Sequence, residues 1–294
     1  MNDFVDKFVH PEDAAALKLM KSLPGFDLVV KKVLDLSYET LLYGINMASK
    51  IRLSEKQMPK LYHRLVIICK RLGIEVPEFY LEMNPYPNAY TFGDTRIFLV
   101  VTSGLLQYLK EDEVDSVLAH ECGHILCRHV LYTTMADILK TGGDALGLLG
   151  PVLVPLQYAM LYWSRKSELS ADRVGAIISG KDTVVKTQLR LAGGPGEITG
   201  EVNVEEWAKQ ADCYEEIRDG KTWDKFLQII ATAHLDHPFA AVRVKEILKW
   251  CDSSGYRDAL EYANEHYTIK TKCPRCGAKV EKTWIRCAYC DTKL

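Results

Sequence analysis

The motif HExxH at residues 120–124 constrains the chain most, because it lies within a segment whose apolar residues recur at helical spacing. Residues four apart share one face of a helix, so the imidazoles of His120 and His124 can reach the same metal ion. A zinc ion held there supplies Lewis acidity and lowers the pKa of a water toward about 7. Glu121 stands beside the two histidines and can take up the proton. The spacing therefore predicts a hydrolytic site with Glu121 as general base.

The alternative is a chance coincidence of two histidines and a glutamate on an ordinary helix. An apolar stripe flanks the motif, formed by Val114, Val117, Leu118, Ile125, Leu126 and Val130. A pair of histidines beside a buried stripe is costly unless the imidazoles have a partner. The flanking residues therefore favour a metal site over coincidence.

A catalytic zinc takes three protein ligands and keeps one position open for water. In the metzincin pattern a third histidine follows the second by six residues, but Val130 holds that position here. His129 is one residue short, about 100° around a helix from it, and we interpret it as a supporting or surface histidine. Residues 163–176 predict a second helix on which Glu168 and Asp172 share a face. Glu168 can ligate zinc, and Asp172 can orient a ligating histidine, although such a pair alone usually forms a solvated face.

Several motifs together resemble a known family. The HExxH motif is followed about forty residues later by Arg165-x-x-Glu168-x-x-x-Asp172. This arrangement is similar to the HtpX-like and CAAX-prenyl-protease-type metallopeptidases, a gluzincin branch of the zincins. Residues 87–90 with the strand-like 96–102 resemble the edge strand of that family and the turn leading to its active helix. His237-Pro238 with Arg243 resembles its late His-Pro and Arg element, so the similarity spans roughly residues 60–250.

The resemblance implies an α+β, mostly helical zincin-like domain with a small sheet. It implies zinc ligation by His120, His124 and Glu168. By analogy, His237 donates a hydrogen bond to the tetrahedral oxyanion, or it merely starts a helix ahead of Pro238. Arg165 and Arg243 are expected to pair with buried carboxylates near the site. An edge strand containing Asn88, Ala89 and Tyr90 would hold an extended peptide substrate by strand addition.

A second metal site is predicted at the C-terminus. Two CxxC pairs lie ten residues apart and contain Cys273, Cys276, Cys287 and Cys290. Four thiolates at this spacing form a closed tetrahedral zinc site or, more rarely, a rubredoxin-like iron site. Redox disulfides are the alternative, but a single redox pair does not explain two symmetric CxxC pairs. A segment of fewer than thirty residues cannot fold on apolar burial alone, so the metal would provide much of the folding free energy of this zinc ribbon. The loops of the ribbon would then dock a protein partner.

Composition favours an intracellular protein. The formal net charge is -2, from 37 basic and 39 acidic residues, which argues against nucleic acid or an anionic membrane as the main partner. Nine cysteines, four of them assigned to metal, leave an odd number that fits reduced thiols. The N-terminal residues show no secretory signal. A cytoplasmic location is the default expectation.

Residues 145–163 challenge that expectation, because they form a run of nineteen residues without a charge. A single membrane crossing would place His120 and Glu168 on opposite sides of the bilayer, and the run is too short to cross twice. Gly147, Gly150, Pro151 and Pro155 are also expected to break a helix. We therefore predict a buried or interfacial hairpin near the active site, either a lid or a loop that touches a membrane peripherally.

The predicted organisation has three parts. Residues 1–60 form a helical extension, 61–267 the metallopeptidase domain and 268–294 the zinc ribbon. The predicted function is a zinc endopeptidase with one catalytic and one structural zinc, acting on polypeptides. Two alternatives stay open. One is a non-proteolytic zinc-binding adaptor or chaperone-like protein that binds partners through the ribbon, and the other is a nucleic-acid-associated protein that uses the basic tail.

Overall fold

The structure is a computed structural model. It describes residues 3–35, 38–142, 150–213 and 240–266, and within the C-terminal segment 271–278, 280, 284, 286–287, 289–290 and 292–294. The predicted oxyanion residue His237 lies outside the described residues, as does 145–149 of the uncharged run.

The chain begins with four helices, which precede the short strand β1. They are α1 (Asp3–Phe8), α2 (Pro11–Lys21), α3 (Phe26–Asp35) and α4 (Tyr38–Ser49), and β1 is Ile51–Arg52. Pro11 occupies the first turn of α2, where its missing N–H costs no helical hydrogen bond. Apolar residues of α2 and α3, including Met20 and Phe26, share a buried cluster with Met160 and Trp163. The predicted N-terminal extension is therefore packed into the body of the protein.

A four-stranded mixed sheet follows, after helix α5 (Pro59–Leu72). Its other strands are β2 (Glu78–Glu82), β3 (Ala89–Gly93) and β4 (Ile97–Thr102), and the spatial order is β1-β2-β4-β3. β4 is central, and its apolar, largely β-branched sequence suits a strand buried on both faces. β3 pairs antiparallel with β4 in the register Ala89 opposite Val101. The segment expected to be an edge strand thus lies at the edge of the sheet.

Four helices follow the sheet, and the first three of them contact its strands β3 or β4. They are α6 (Ser103–Tyr108), α7 (Glu111–Leu126), α8 (Val130–Gly142) and α9 (Gly150–Ser179). Acidic residues in the first turn of α7 interact favourably with the helix dipole, and the Glu113 carboxylate accepts a hydrogen bond from the Lys110 amide at 2.8 Å. α7 packs against α5 on one side and against α9 on another.

Five of the helices that follow α9 lie within the described residues between 181 and 266. They are α10 (Lys181–Gly193), α11 (Gly196–Thr199), α12 (Val204–Ala208), α13 (Ala240–Cys251) and α14 (Ser254–His266). α13 packs on α9 and α10, while α14 contacts α1. The architecture is α+β and mostly helical with a small mixed sheet, which confirms the predicted fold class. The predicted domain boundaries stay predictions.

The expected helix break in the uncharged run does not occur within the described residues. α9 continues without interruption from Gly150 through Pro155 to Ser179. Pro151 falls in the first turn, where no helical N–H bond is lost, and Pro155 is exposed and removes one bond near the helix start. The hairpin prediction is therefore wrong for residues 150–163. None of the described helices is long and apolar enough to cross a membrane.

Candidate metal centre

Two helices bring three metal-ligating side chains together. His120 and His124 lie on α7 and Glu168 lies on α9, and their ligand atoms are within 4.8 Å of one another. The Nε2 atoms of the two histidines are 3.2 Å apart. The Glu168 carboxylate oxygens lie 3.2 Å from His124 Nε2 and 3.4 Å from His120 Nε2. All three side chains are buried, so they form a compact cluster shielded from solvent.

These separations fit a zinc ion. Ligand atoms of a tetrahedral site with bonds of about 2.0–2.1 Å lie about 3.3 Å apart, which matches the observed triangle. Two imidazoles and one carboxylate also form a donor set of catalytic zinc sites. Burial lowers the pKa of His120, but Asp172 and Glu168 raise it to about 10, so the negative charge here favours a cation. Burial lowers the pKa of His124 to about 4, which keeps its imidazole neutral.

Asp172 orients His120. One turn beyond Glu168 on α9, its Oδ1 lies 3.0 Å from His120 Nδ1. Burial raises the pKa of Asp172, but the charge of Arg243 and hydrogen bonds from Arg243 and His120 lower it to about 2. An ionised carboxylate only accepts hydrogen bonds, so His120 Nδ1 donates its proton to Asp172, and Nε2 is the nitrogen that would bind the metal. Gln188 of α10 also donates to Asp172 Oδ1 at 3.2 Å.

Arg243 holds the two carboxylates of α9 from α13. Its Nε and Nη2 donate to the two oxygens of Asp172 at 2.7 and 2.6 Å, and its Nη1 lies 3.1 Å from Glu168 Oε2. Burial lowers the pKa of Arg243, but Asp172 and Glu168 raise it above its usual value. A guanidinium with this bidentate geometry fixes both carboxylates relative to each other and offsets part of their charge.

Glu121 and the candidate ligand His120 line a cleft of about 440 Å³. The Thr91 hydroxyl of β3 donates a hydrogen bond to Glu121 Oε2 at 3.1 Å. The cleft is lined, among others, by Asn88, Ala89, His120, Glu121, Gln188 and Leu191. The edge strand and the acidic side chain therefore face the same open space.

Comparison with known proteins assigns the chain to a family. The model of Peptidase family M48 matches residues 54–251, about two thirds of the chain. The chain belongs to peptidase family M48. This confirms the resemblance predicted from the motifs and makes the protein a metallopeptidase of a family for which zinc is the expected metal.

Two relatives identified by sequence agree with this assignment. The chain is 31% identical over 270 residues to the plastoglobule-localized metallopeptidase 48 of Arabidopsis thaliana. The match covers 90% of the chain and 78% of that relative. The chain is 30% identical over 164 residues to a Protease HtpX homolog of Pyrococcus abyssi, covering 46% of this chain and only 57% of that relative. The crystal structure of S. mikatae Ste24p matches with a TM-score of 0.43 and 16% identity, covering 80% of this chain and 62% of that one.

Of the remaining predicted site residues, Asn88 and Ala89 line the cleft, whereas Arg165 and Tyr90 are not among its lining residues. Arg165 lies on α9, half-buried, one turn before Glu168. The Tyr90 side chain takes part in a separate polar group, in which its hydroxyl donates to Glu82 at 2.6 Å and accepts from Lys50 at 2.9 Å. Tyr90 can therefore contribute to strand addition only through its backbone.

The four C-terminal cysteines also converge. Their ligand atoms lie within 4.8 Å of one another, with Sγ separations of 3.7 Å for Cys273–Cys290 and 3.6 Å for Cys276–Cys287. A tetrahedral site with Zn–S bonds of about 2.3 Å has edges of about 3.8 Å, so these separations fit zinc. The ring of Trp284 stacks on His63 of α5 at 4.3 Å and contributes with Ile67 to a buried cluster. The ribbon thus docks on the helix that supports α7.

Sequence reasoning missed three contributors to the site. Thr91 and Gln188 contact Glu121 and Asp172, and Asp13 reaches the site region from α2 through His129. None of them belongs to a metal-binding motif. The only sequence signal was for Thr91, which lies two residues after Ala89 and so on the same face of the predicted edge strand.

Proposed function

We propose that the protein is a zinc-dependent endopeptidase in which His120, His124 and Glu168 bind the metal and Glu121 is the general base. One observation carries this proposal: Glu121 and the candidate ligand His120, which is grouped with His124 and Glu168, line the same cleft as Ala89 at the start of β3. The printed names of the relatives, a metallopeptidase and a protease homolog, support the reaction class.

Each residue has a role that follows from its contacts. Zinc supplies Lewis acidity and a water of lowered pKa when it is bound. Glu121 takes the proton from the attacking water and passes it to the leaving amine. Thr91 holds the Glu121 carboxylate in place with its hydroxyl. Asp172 and Arg243 keep His120 and Glu168 oriented, so that little reorganisation is needed during the reaction.

The substrate is proposed to be an extended polypeptide. In the described sheet, β3 pairs with β4 along one edge and has no strand on the other. The backbone groups of that free edge can pair with a peptide, which gives binding with modest sequence preference. A peptide held this way extends past the metal ligands in both directions, which suits cleavage within a chain.

The decisive test is Glu121→Gln measured for both zinc content and cleavage of unfolded casein. The amide keeps the size of the side chain but cannot accept the proton, so we expect zinc retention and a loss of cleavage of at least about 100-fold. Asp112→Asn is the matched control, because Asp112 is an exposed acid on the same helix. Unchanged turnover in Glu121→Gln would remove it as the base.

The same assay separates the adaptor alternative. A non-proteolytic adaptor would bind zinc yet leave unfolded polypeptides intact in the wild-type protein. Partner docking through the ribbon, membrane contact of the 145–163 segment and a cytoplasmic location stay predictions alongside the proposed activity. Nucleic acid binding is not proposed, because the net charge of -2 gives no general attraction to phosphates.

A further inference from the structure

His129 is held beside His124 by the way α7 ends. The Arg128 amide donates to Ile125 O at 3.0 Å and the His129 amide donates to His124 O at 2.9 Å. These are the two hydrogen bonds of a Schellman motif, which turns the chain sharply after a helix. Arg128 adopts a φ of 58°, a left-handed conformation usually taken by glycine. The helix therefore ends before His129, and the turn directs its ring back toward the metal site.

The His129 ring bridges His124 and an acid from the N-terminal helices. Its Nδ1 lies 3.1 Å from His124 Nδ1, and its Nε2 lies 3.0 Å from Asp13 Oδ2. Both His129 and Asp13 are 1% exposed. Asp13 is held in turn by Trp163 Nε1 at 3.0 Å on Oδ1 and by Ser170 Oγ at 2.6 Å on Oδ2. This is a continuous buried chain of hydrogen bonds from α2 to a metal ligand.

The donors and acceptors of this chain allow only one arrangement that leaves His124 free to bind metal. Burial raises the pKa of Asp13, but hydrogen bonds and charge from His129, Ser170 and Trp163 lower it, so Asp13 is ionised and only accepts. His124 can bind metal through Nε2 only if its Nδ1 carries the proton and donates to His129 Nδ1. His129 Nδ1 must then accept, so the ring proton of His129 lies on Nε2 and faces Asp13 Oδ2.

We propose that Asp13 and His129 are positioning residues that fix the orientation and tautomer of His124 for metal binding, as Asp172 does for His120. This inference rests on the proposed zinc site. It gives the two ligand histidines separate supports from opposite parts of the chain. Ligating histidines generally donate their second ring nitrogen to such a partner, and losing the partner weakens metal binding by about 10–100-fold.

The proposal assigns a role to the N-terminal extension. Asp13 lies outside residues 54–251, the segment matched to the peptidase family. α2 packs along α9, and the His10 amide donates to Ser170 at 2.9 Å, which anchors the start of α2 next to the network. The extension therefore completes the metal site in addition to covering apolar surface.

The first test uses the unmodified, zinc-loaded protein. Long-range ¹H–¹⁵N spectra of protein labelled with ¹⁵N-histidine report which ring nitrogen of each histidine carries a proton. We expect the neutral Nε2–H form for His129 and the Nδ1–H form for His124, assigned with His129→Gln. A doubly protonated His129, or a proton on its Nδ1 alone, would overturn the proposal without any question of misfolding.

The second test measures zinc affinity by competition with a chelator. His129→Phe and Asp13→Leu should each weaken zinc binding at the histidine site by about 10–100-fold. His129→Gln and Asp13→Asn should recover most of that loss, because an amide oxygen accepts the same hydrogen bond. Cobalt bound by the four cysteines gives thiolate absorption bands, which serve as an internal reference for the second site.

Met20→Ala is the matched control, because it opens a cavity in the apolar packing of α2 but carries no polar group of the Asp13–His129–His124 network. It should lower the melting temperature without changing zinc affinity. Wild-type zinc affinity in a folded His129→Phe, or an equal loss in Met20→Ala and Asp13→Leu, would overturn the positioning role. The zinc affinity is measured independently of casein cleavage. An absence of the proposed peptidase activity would therefore be a separate result from a failure of the positioning role.

Discussion

Gly123 of α7 lies directly against Ala171 of α9. A Cβ placed on Gly123 would stand 3.0 Å from the Ala171 Cα and 3.1 Å from the Val174 Cβ. Glycine at this position of the HExxH motif therefore lets the two helices approach closely. The approach is what brings Glu168 within 3.2 Å of His124, since the two residues lie on different helices.

The first prediction concerns this contact. Gly123→Ala should destabilise the protein by about 1–3 kcal/mol, because the added methyl overpacks a rigid helix interface. It should also weaken zinc binding by separating α7 from α9. Gly44→Ala is the control, since Gly44 is an exposed helical glycine with open space around its Cβ position, and it should stabilise by about 1 kcal/mol. Urea unfolding of both variants measures the difference, and equal stabilisation would contradict the close approach.

The second prediction concerns Arg243. Arg243→Met should cost about 3–5 kcal/mol, because Asp172 and Glu168 would be left as buried carboxylates without their counter-ion. Arg52→Met is the control, since the exposed Arg52 side chain pairs with Glu78 at 3.5 Å, an interaction worth about 0–1 kcal/mol. Thermal and urea unfolding measure both. A cost for Arg243→Met no larger than that for Arg52→Met would show that Arg243 does not balance the two acids.

The clustering of His120, His124 and Glu168 could be predicted because each belongs to a short motif with fixed spacing. The four-residue spacing alone places His120 and His124 on one face of a helix, and Glu168 and Asp172 have the same spacing. The partners of these ligands were not predictable in this way. Asp13 and His129 meet only because α7 ends at Leu126 and Arg128 turns the chain, and neither event has a glycine or proline to mark it.

In the uncharged run, the sequence predicts a helix break that the structure does not have. Gly150, Pro151 and Pro155 were expected to break a helix, yet α9 begins at Gly150 and includes both prolines. Helix breakers act on interior positions, and the sequence alone did not show that these residues stand at the start of the helix. Packing of Leu156, Met160 and Trp163 into the buried cluster that they share with α2 and α3 outweighs the one lost hydrogen bond.

The third prediction is a pH dependence of stability at the turn between β3 and β4. Glu39 of α4 accepts hydrogen bonds from the Asp94 amide at 2.7 Å, the Thr95 hydroxyl at 2.6 Å and the Arg96 amide at 3.1 Å. Burial raises the pKa of Glu39, but these hydrogen bonds lower it below its usual value of 4.5. The ionised form is therefore favoured by folding, and its stabilisation is present above pH 4.5 and is lost as the pH falls below it.

Glu39→Gln tests this prediction. At pH 7 the variant should be less stable than wild type, and the difference should shrink as the pH falls from 5 toward 3. Urea unfolding at each pH, with chelator present in both samples so that metal loss is common to both, measures the difference. A difference that is constant or grows on acidification would contradict the assigned role of the carboxylate.

The last prediction concerns the docking of the zinc ribbon on α5. Cys273→Ser combined with Cys276→Ser should remove one zinc per chain and leave the histidine site filled, because the two clusters share no ligands.

His63→Ala should instead keep both zinc ions but weaken docking by about 0.5–1.5 kcal/mol, since it deletes the ring that stacks on Trp284. His266→Ala is the matched control, because His266 stacks on Tyr262 of its own helix α14. Limited proteolysis should release the C-terminal segment faster in His63→Ala than in His266→Ala. Cleavage of casein should be retained throughout, because the ribbon contacts α5 and none of its described residues lines the catalytic cleft. Loss of casein cleavage in His63→Ala with both zinc ions present would show instead that docking on α5 controls the geometry of α7.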